Sequence, residues 1–220
     1  MNDSNEGAGR LKSGPIVLPL PVYSEILAAM SQSDRVKWNE RYRNGAYAER
    51  MHPSSLLAQW IDRIPRGRAL DVACGAGRNA LFLARHGFAV DAVDISCEAV
   101  KTAAGIAQQA DLHINWIEQD LDDPREFGTH YALILVMRYL NLPLVHRLQA
   151  KLAPGGFLLC EQHLVTDAHV IGPPNTAFRV QPGALRALAQ GLQIHHLEES
   201  VVNDPDNRPA AVARLVAQKH

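Results

Sequence analysis

Short apolar runs alternate along this chain with segments whose apolar residues recur at helical spacing. A first run contains Leu70 and Val72 and stops at the turn Gly75-Ala76-Gly77, after which the residues have helical character. A second apolar run, Phe88 to Val93, ends at Asp94. The pattern therefore predicts a strand, a tight turn, a helix and a second strand, which together form a βαβ unit.

The same alternation continues to the end of the chain. It predicts further helices over 97–109, 143–152 and 183–190 and further strands over 113–118, 131–136, 157–160, 193–202 and 211–218. The run at 131–136 is continuously apolar, as expected of a central parallel strand that is buried on both faces. Alternating strands and helices favour an α/β fold with a doubly wound sheet.

The first third of the chain gives weaker patterns. Residues 1–32 are predicted to be a flexible leader with a short helix at 23–30, and a single domain is predicted over 33–220. A second helix, capped by Ser33 or Asp34, carries Trp38 and Tyr42, and a third spans 53–64. Further along, the long irregular segment 164–180 is a candidate lid.

Asp71 helps to decide which nucleotide the βαβ unit would bind. In the dinucleotide fingerprint the glycine turn meets a pyrophosphate, and a carboxylate four residues before Gly75 would repel that group. The α-amino end of S-adenosylmethionine carries an ammonium, which Asp71 would attract. Asp94 stands where a carboxylate binds ribose hydroxyls, and Ala80 replaces the third glycine of the dinucleotide pattern. A nicotinamide (NAD(P))-dependent oxidoreductase stays as the alternative.

The segment Leu70-Asp71-Val72-Ala73-Cys74-Gly75-Ala76-Gly77 resembles motif I of class I S-adenosylmethionine-dependent methyltransferases, and Val93-Asp94-Ile95-Ser96 resembles the acidic loop after their second strand. The run from Asp71 to Ser96, with Gly77-Arg78-Asn79-Ala80 at its centre, is similar to the tellurite-resistance (TehB-type) branch. The resemblance covers residues 38–219. It implies a Rossmann-like, mainly parallel sheet of seven strands with helices on both faces and an antiparallel C-terminal hairpin. Ala73, where many members carry glycine, counts as a conservative departure.

The resemblance also implies a set of contacts with the cofactor, S-adenosylmethionine. In the family the segment before motif I closes over the cofactor, and Trp38 to Tyr42 is similar to its W-x-x-x-Y signature. The alternative is that both rings anchor a helix to the core. Asp120 and Leu121 would bind adenine, unless Asp120 only starts a turn. The predicted cofactor-binding residues are Trp38, Tyr42, Asp71, Ala73, Gly75, Gly77, Asn79, Asp94, Ile95, Asp120, Leu121 and Val136.

Arg138, Tyr139 and His163 are the candidate catalytic residues, because they stand at the predicted tips of the fourth and fifth strands. Arg138 would hold a substrate anion or pair with Glu161 as a structural bridge. His163 would act as a base or lie solvated in a loop. Methyl transfer from a sulfonium mainly requires alignment, so a base is optional, and the resemblance suggests a thiol or a chalcogen oxyanion as acceptor. Arg78 would steer the cofactor carboxylate or an anionic substrate, or lie in water.

Composition limits the remaining possibilities. The net charge of −1 gives no electrostatic case for a nucleic-acid or membrane partner, so a small-molecule methyl acceptor is expected. The three cysteines are widely spaced, which favours a reducing compartment and predicts a cytoplasmic protein. The ten histidines lack the spacing of a metal site, and no metal is expected. A monomer and a homodimer are both open, and a cofactor-binding module without catalysis is the alternative outside enzymes.

Overall fold

The computed structural model describes residues 20–48, 50–122, 126–204 and 207–220, so residues 1–19 of the leader predicted over 1–32 lie outside them. The helices are α1 (Leu20–Arg43), α2 (Ser55–Trp60), α3 (Arg78–Arg85), α4 (Cys97–Gln109), α5 (Leu142–Gln149) and α6 (Ala184–Leu188). The strands are β1 (Arg68–Val72), β2 (Ala89–Asp94), β3 (Ile114–Glu118), β4 (Tyr131–Met137), β5 (Leu152–His163), β6 (Gln193–Asn203) and β7 (Pro209–Gln218). Short 3-10 helices lie at Ile61–Arg63 and Thr176–Phe178.

These strands form one sheet in the order β3-β2-β1-β4-β5-β7-β6. The strands from β3 to β5 pair in parallel, while β7 pairs antiparallel to both β5 and β6. The direction of winding reverses between β1 and β4, which is the kind of switch point where open α/β sheets bind ligands. The predicted doubly wound, mainly parallel sheet with a C-terminal hairpin is confirmed.

Helices cover both faces of the sheet, as predicted. On one face, α2 and α3 bury apolar side chains such as Leu57 and Leu83. On the other face, α5 and α6 bury side chains such as Leu148 and Leu185. Successive side chains of a strand point to opposite faces, so β4 contributes to both clusters and is buried on each side. This two-layer core fixes the carboxyl ends of the parallel strands, where the site lies.

Helix α1 differs from the sequence prediction of two helices with a break near 31–34. The structure has one continuous helix of 24 residues, which crosses the predicted boundary between residues 32 and 33. Residues 31–34 contain neither glycine nor proline, and the helix-propensity cost of two serines and one aspartate is too small to end the helix. Pro21 stands in the first turn, where a proline has no helical hydrogen bond to lose.

Polar contacts attach α1 to the start of α4. Asn39 Oδ1 accepts a hydrogen bond from Ser96 Oγ at 2.8 Å, and Arg43 pairs with Glu98 at 2.9 Å. Ser96 is also the N-cap of α4, because its hydroxyl accepts from the Ala99 backbone N–H. The contacts of Asn39 therefore place the end of α1 beside the acidic loop after β2.

Gly77, between β1 and α3, is predicted to be indispensable for stability. Its φ is +78°, and a Cβ would lie 2.6 Å from Trp116 Cη2 and 2.8 Å from Ala103 Cβ. Gly77→Ala should lower the free energy of unfolding by about 2–4 kcal/mol, because a left-handed backbone and overpacking both penalise a side chain. Gly87→Ala is the control, since Gly87 has φ +81° and no atom within 4 Å of a Cβ. Equal losses for the two variants in urea denaturation would contradict the crowding at Gly77.

Candidate active site

Three buried polar side-chain atoms among the described residues lack a hydrogen-bond partner, namely Asp71 Oδ2, Gln119 Nε2 and His163 Nδ1. Asp71 lies near the end of β1, Gln119 directly follows β3, and His163 ends β5. All three atoms therefore lie at the carboxyl edge of the sheet. Leaving a buried polar atom unpaired costs about 1–3 kcal/mol. Their concentration at one edge indicates a site that a ligand completes.

Asp71 is the acidic side chain beside the glycine turn, and only 1% of it is exposed. Burial disfavours the carboxylate and raises the pKa of Asp71 to about 7, although the charge of Arg78 and the Ala80 backbone amide act in the opposite direction. Apolar neighbours in β1 hold the side chain in this position. A cationic group beside Asp71 would restore its charged form.

Asp94, at the end of β2, is tied to the glycine turn. Its Oδ2 accepts a hydrogen bond from the Gly75 N–H at 2.8 Å, and its Oδ1 accepts one from the Ser96 N–H at 2.9 Å. Burial raises the pKa of Asp94, while the backbone N–H groups of Ser96, Gly75 and Ile95 partly oppose the rise. Each carboxylate oxygen has a further lone pair. Asp94 thus fixes the turn and keeps acceptor capacity for the ribose hydroxyls that the sequence predicts there.

The end of α1 covers the glycine turn. A Cβ on Gly75 would collide with the Tyr42 hydroxyl, so this tyrosine lies directly against the turn. Burial, followed by the nearby charge of Asp94, raises the pKa of Tyr42. The ring of Trp38 lies 6.2 Å from that of Tyr42. Tyr42 therefore covers the glycine turn and also anchors α1. The two interpretations of Trp38 and Tyr42, as a cover over the cofactor and as an anchor of the helix, do not exclude each other.

Tyr47 extends this cover, and sequence reasoning missed it. Its ring lies 6.0 Å from that of Tyr42 and has the guanidinium groups of Arg41 and Arg50 at 5.5 and 5.2 Å from its centre. Its φ is +64°, which is rare for a tyrosine. No pattern in the sequence signals this conformation, because hydrophobic spacing carries no information on a single left-handed residue.

One residue of the glycine motif, Ala73, differs from the expectation, and a second, Asn79, has a structural partner. Ala73 has a φ of +54°, in the left-handed region where a Cβ costs about 1–2 kcal/mol. The departure from glycine is therefore not conservative for the backbone, which corrects the sequence analysis. Asn79 is buried, and its Oδ1 accepts from the Ser54 N–H at 2.8 Å. Asn79 thus anchors the segment before α2, and its contact with the cofactor stays a prediction.

The predicted adenine residues follow β3. Asp120 Oδ1 accepts from the Asp122 N–H at 2.9 Å, which is the turn-forming role given as its alternative. The side chains of Leu121 and Val136 are buried in the core on the α5 face. Gln119, which was not among the predicted site residues, offers an unpaired buried amide at this edge. The cofactor contacts of Asp120, Leu121 and Val136 stay predictions.

Arg138 is held by carboxylates on two other elements. Its Nε donates to Glu161 at 3.0 Å, and its Nη1 donates to Asp204 at 2.9 Å. Burial disfavours the charged guanidinium, but the bonds to Asp204 and Glu161 raise the pKa of Arg138 overall. Arg214 Nε donates to the other Glu161 oxygen at 2.8 Å. The structural bridge, rather than a free anion-binding side chain, is what the structure shows, and the part of Asp204 in it was missed.

Tyr139 and His163 lie at the same edge. Burial raises the pKa of Tyr139 to about 12. Burial, followed by the charges of Arg138 and Arg179, lowers the pKa of His163 to about 4. A Cβ on Gly172 would lie 2.8 Å from His163 Nδ1, so the 164–180 loop covers this nitrogen, which is buried although the residue as a whole is only half-buried. Its weak basicity makes His163 a poor general base in this state.

Neither a metal-ligand cluster nor a membrane-spanning helix occurs in the part of the chain that the structure describes. Over the described ranges, no group of three or more His, Cys, Asp or Glu side chains comes together in the manner of metal ligands. Likewise, none of the helices described above combines the length and the apolar character that a membrane span requires. The carboxylates of Glu161 and Asp204 are instead occupied by arginines.

Comparison with known proteins shows the family to which this site belongs. Residues 69–156, which contain the glycine turn, Asp94 and β4, match the family model of a methyltransferase domain. These residues form a class I methyltransferase domain. The resemblance found in the sequence is thereby confirmed, and the cofactor of such a domain is S-adenosylmethionine.

Relatives of this methyltransferase domain include proteins with different names. The ubiquinone biosynthesis O-methyltransferase of Coxiella burnetii is 33% identical over 94 residues, which are 40% of this chain and 40% of that protein. Hemagglutinin 1 of Eikenella corrodens is 26% identical over 165 residues, 70% of this chain and 55% of that protein. The chain thus spans about half the length of the curated relatives it matches. TehB from Haemophilus influenzae shares the fold, with a TM-score of 0.68 and 20% identity over 83% of this chain and 67% of that chain.

The residues at the carboxyl edge fit S-adenosylmethionine. The unpaired Asp71 oxygen suits the ammonium, and Gly75 and Gly77 keep side chains out of the turn. Asp94 has lone pairs for the ribose hydroxyls, and the buried amide of Gln119 can donate to the nucleoside. When bound, this cofactor supplies a methyl group activated on a sulfonium.

The high pKa of Asp71 predicts a pH-dependent affinity for S-adenosylhomocysteine, which carries the same ammonium. Binding should weaken as the pH falls below about 7, because Asp71 then holds a proton that must leave before the ammonium binds. The loss should approach about tenfold per pH unit, and the affinity should level off above that pKa. Isothermal titration calorimetry measures both the loss of affinity at low pH and the constant affinity at high pH.

Asp71→Asn should bind S-adenosylhomocysteine more weakly and lose this pH dependence, because an amide has no proton to release. Asp91→Asn is the matched control, since Asp91 lies on β2 but pairs with Arg68 and Tyr131 away from the site. An Asp71→Asn variant that keeps the wild-type pH profile would show that another group titrates.

Proposed function

We propose that this chain is an enzyme that transfers a methyl group from S-adenosylmethionine to a small molecule. The observation that carries the proposal is the buried Asp71 carboxylate with an unpaired oxygen beside the glycine turn. A cationic amino-acid end would satisfy this carboxylate, whereas a pyrophosphate would be repelled. The name of the matched relative, an O-methyltransferase, supports the same reaction class.

The size of the acceptor follows from the elements above the site. Tyr42 covers one side, and the loop 164–180 lies over His163 on the other. Arg179 fastens that loop, because it donates to the carbonyl oxygens of Pro173 and Leu164, both at 3.0 Å. An open depression of about 510 Å³ lies between the residues that follow β4 and this loop, and its volume is in the range of small-molecule sites. It is lined by Leu140, Asn141, Leu142, Pro143, Arg179, Val180, Gln181 and Ala184.

Within that class we propose a thiol or a chalcogen oxyanion such as selenite or tellurite. A soft nucleophile of this kind attacks a sulfonium methyl without help from a base. The low pKa of His163 supports this choice, since the histidine is a weak proton acceptor. The similarity of the run from Asp71 to Ser96 to the tellurite-resistance (TehB-type) branch supports it as well. The predicted setting stays a cytoplasmic monomer or homodimer with a small-molecule partner.

The chain's own residues would act by positioning. Asp71 would hold the ammonium and Asp94 the ribose, so that the reactive end of the cofactor points toward the ends of β4 and β5. Tyr42 would exclude water above the turn. Alignment of this kind supplies about 7–11 kcal/mol of the barrier reduction. No residue has to accept a proton when the nucleophile arrives as an anion.

Two other functions predict different behaviour. A nicotinamide-dependent oxidoreductase would place a pyrophosphate at the turn, next to Asp71, where like charges repel. A cofactor-binding module without catalysis would bind S-adenosylmethionine and turn nothing over. Binding and turnover measurements on the full chain therefore separate the three functions.

Asp94→Ala should weaken the binding of S-adenosylhomocysteine by about 1–3 kcal/mol through the loss of charge-assisted hydrogen bonds. Asp91→Ala should leave the affinity unchanged, because Asp91, on the same strand as Asp94, accepts hydrogen bonds from Arg68 of β1 and Asn115 of β3. Titration calorimetry with S-adenosylhomocysteine and with NAD measures the effect. Wild-type affinity in Asp94→Ala would refute the ribose assignment, and binding of NAD alone would refute the proposed function.

Turnover is tested by a coupled assay that detects release of S-adenosylhomocysteine. Thiols, selenite and tellurite should be methylated faster than phenols and amines, because the site offers no strong base. Asp71→Asn should lower the rate with every acceptor. If the cofactor binds but no member of the panel is turned over, the result supports the module without catalysis.

A further inference from the structure

The depression beside the loop 164–180 has a mainly apolar lining. Five of the eight residues that line it have side chains without a polar atom, namely Leu140, Leu142, Pro143, Val180 and Ala184. Leu140, Leu142 and Ala184 are only partly buried, so they pack against the core and still leave part of each side chain open to the depression. An apolar surface of this kind is stabilised when a ligand removes it from water.

Two of the three polar side chains of the lining are engaged within the protein. Asn141 Nδ2 donates to Asp122 at 3.0 Å, and Asn141 Oδ1 accepts from the Leu144 backbone N–H at 2.9 Å. Arg179 donates through Nε and Nη1 to carbonyl oxygens of its own loop. An inorganic oxyanion needs several free donors to replace its hydration, and this lining offers few of them. The apolar part of the lining therefore decides what the depression can bind.

The depression lies directly beside the ends of β4 and β5. The Val180 N–H donates to the carbonyl oxygen of His163, the last residue of β5, at 2.8 Å. On the other side, Leu140 follows Tyr139, whose carbonyl oxygen accepts from Gln162 of β5 at 2.9 Å. In the proposed function the reactive end of the cofactor points toward these two strand ends. The walls of the depression are thus a surface that an acceptor would meet there.

We infer that the methyl acceptor is an organic thiol with an apolar body rather than an inorganic oxyanion. The inference rests on the proposed function and narrows its substrate class. The apolar body packs against the side chains of Leu140, Leu142, Val180 and Ala184.

The chemistry of the transfer is the same for every thiol of this class. The thiol loses its proton to the solvent, and its sulfur forms a bond to the methyl carbon. The bond between that carbon and the cofactor sulfur breaks, and its electron pair remains on the cofactor. The apolar body contributes equally to ground-state and transition-state binding, so a longer body should lower KM and leave kcat nearly unchanged.

Binding is measured by calorimetry on the full chain saturated with S-adenosylhomocysteine. The probes are mercaptoethanol, propanethiol, butanethiol and pentanethiol, with selenite as the oxyanion. Each methylene group that packs into the depression should raise the affinity about two- to fourfold. Selenite should bind more weakly than butanethiol. An affinity that does not rise with chain length, or selenite as the tightest ligand, would overturn the inference.

Variants of the lining test whether the depression is the place of binding. Ala184→Phe fills it from the start of α6 and should lower the affinity for pentanethiol about tenfold or more, whereas mercaptoethanol should lose little. Ala187→Phe is the matched control, because Ala187 is exposed on the same helix and does not line the depression. Gln181→Leu adds apolar surface at an exposed position of the lining and should raise the affinity for pentanethiol. The melting temperature checks folding, and an unchanged pentanethiol affinity in either folded lining variant would overturn the inference.

Two further measurements separate the remaining outcomes. Sedimentation velocity tests a second copy of the chain as the occupant, and a wild-type dimer that Ala184→Phe dissociates would overturn the inference. A coupled assay detects release of S-adenosylhomocysteine from S-adenosylmethionine with each thiol. Affinity that rises along the series without any turnover would support the apolar site and refute the proposed function. A wild type that does not bind S-adenosylhomocysteine at all would likewise refute the proposed function.

Discussion

The burial of Asp71 at the end of β1 is the constraint on which the rest of the site depends. Leu70 and Val72 on either side of it are fully buried, so the strand has no freedom to turn the carboxylate toward water. The Ala80 amide and the charge of Arg78 offset part of the cost, yet the pKa of Asp71 still rises to about 7. A ligand with an ammonium group removes the remaining cost. The preference for a cationic amino-acid end is therefore built into the packing of the sheet.

The same constraint explains why the turn after β1 tolerates so few side chains. Asp94 holds the Gly75 N–H from one side, and Tyr42 presses on Gly75 from the other. Gly77 is enclosed by Trp116 and by α4. Ala73 accepts a left-handed backbone in this turn, which is strain of the kind that persists only when the surroundings determine the conformation. The turn is thus set by its neighbours, and the path of its backbone exists before a cofactor arrives.

The sequence predicts local features of this protein well and contacts between distant residues poorly. The glycine turn, Asp71 and Asp94 lie within one βαβ unit, where strand and helix periodicity leave little choice of geometry. The pairing of Arg138 with Asp204 joins residues that are 66 positions apart, and no pattern in the sequence predicts this contact. The single helix α1 escaped prediction because weak local signals at 31–34 were overruled by cooperative helix formation.

The segment that follows α1 connects the two halves of the site physically. Tyr42 touches the glycine turn, and Tyr47 packs between Tyr42 and the guanidinium of Arg50. Arg50 in turn pairs with Asp204, the residue that holds Arg138 at the end of β4. A displacement of this segment would therefore uncover the glycine turn and weaken the ion pairs beside the proposed acceptor site in one movement. Methyl transfer needs both sides closed at once, because the two reactants must be aligned and kept from water.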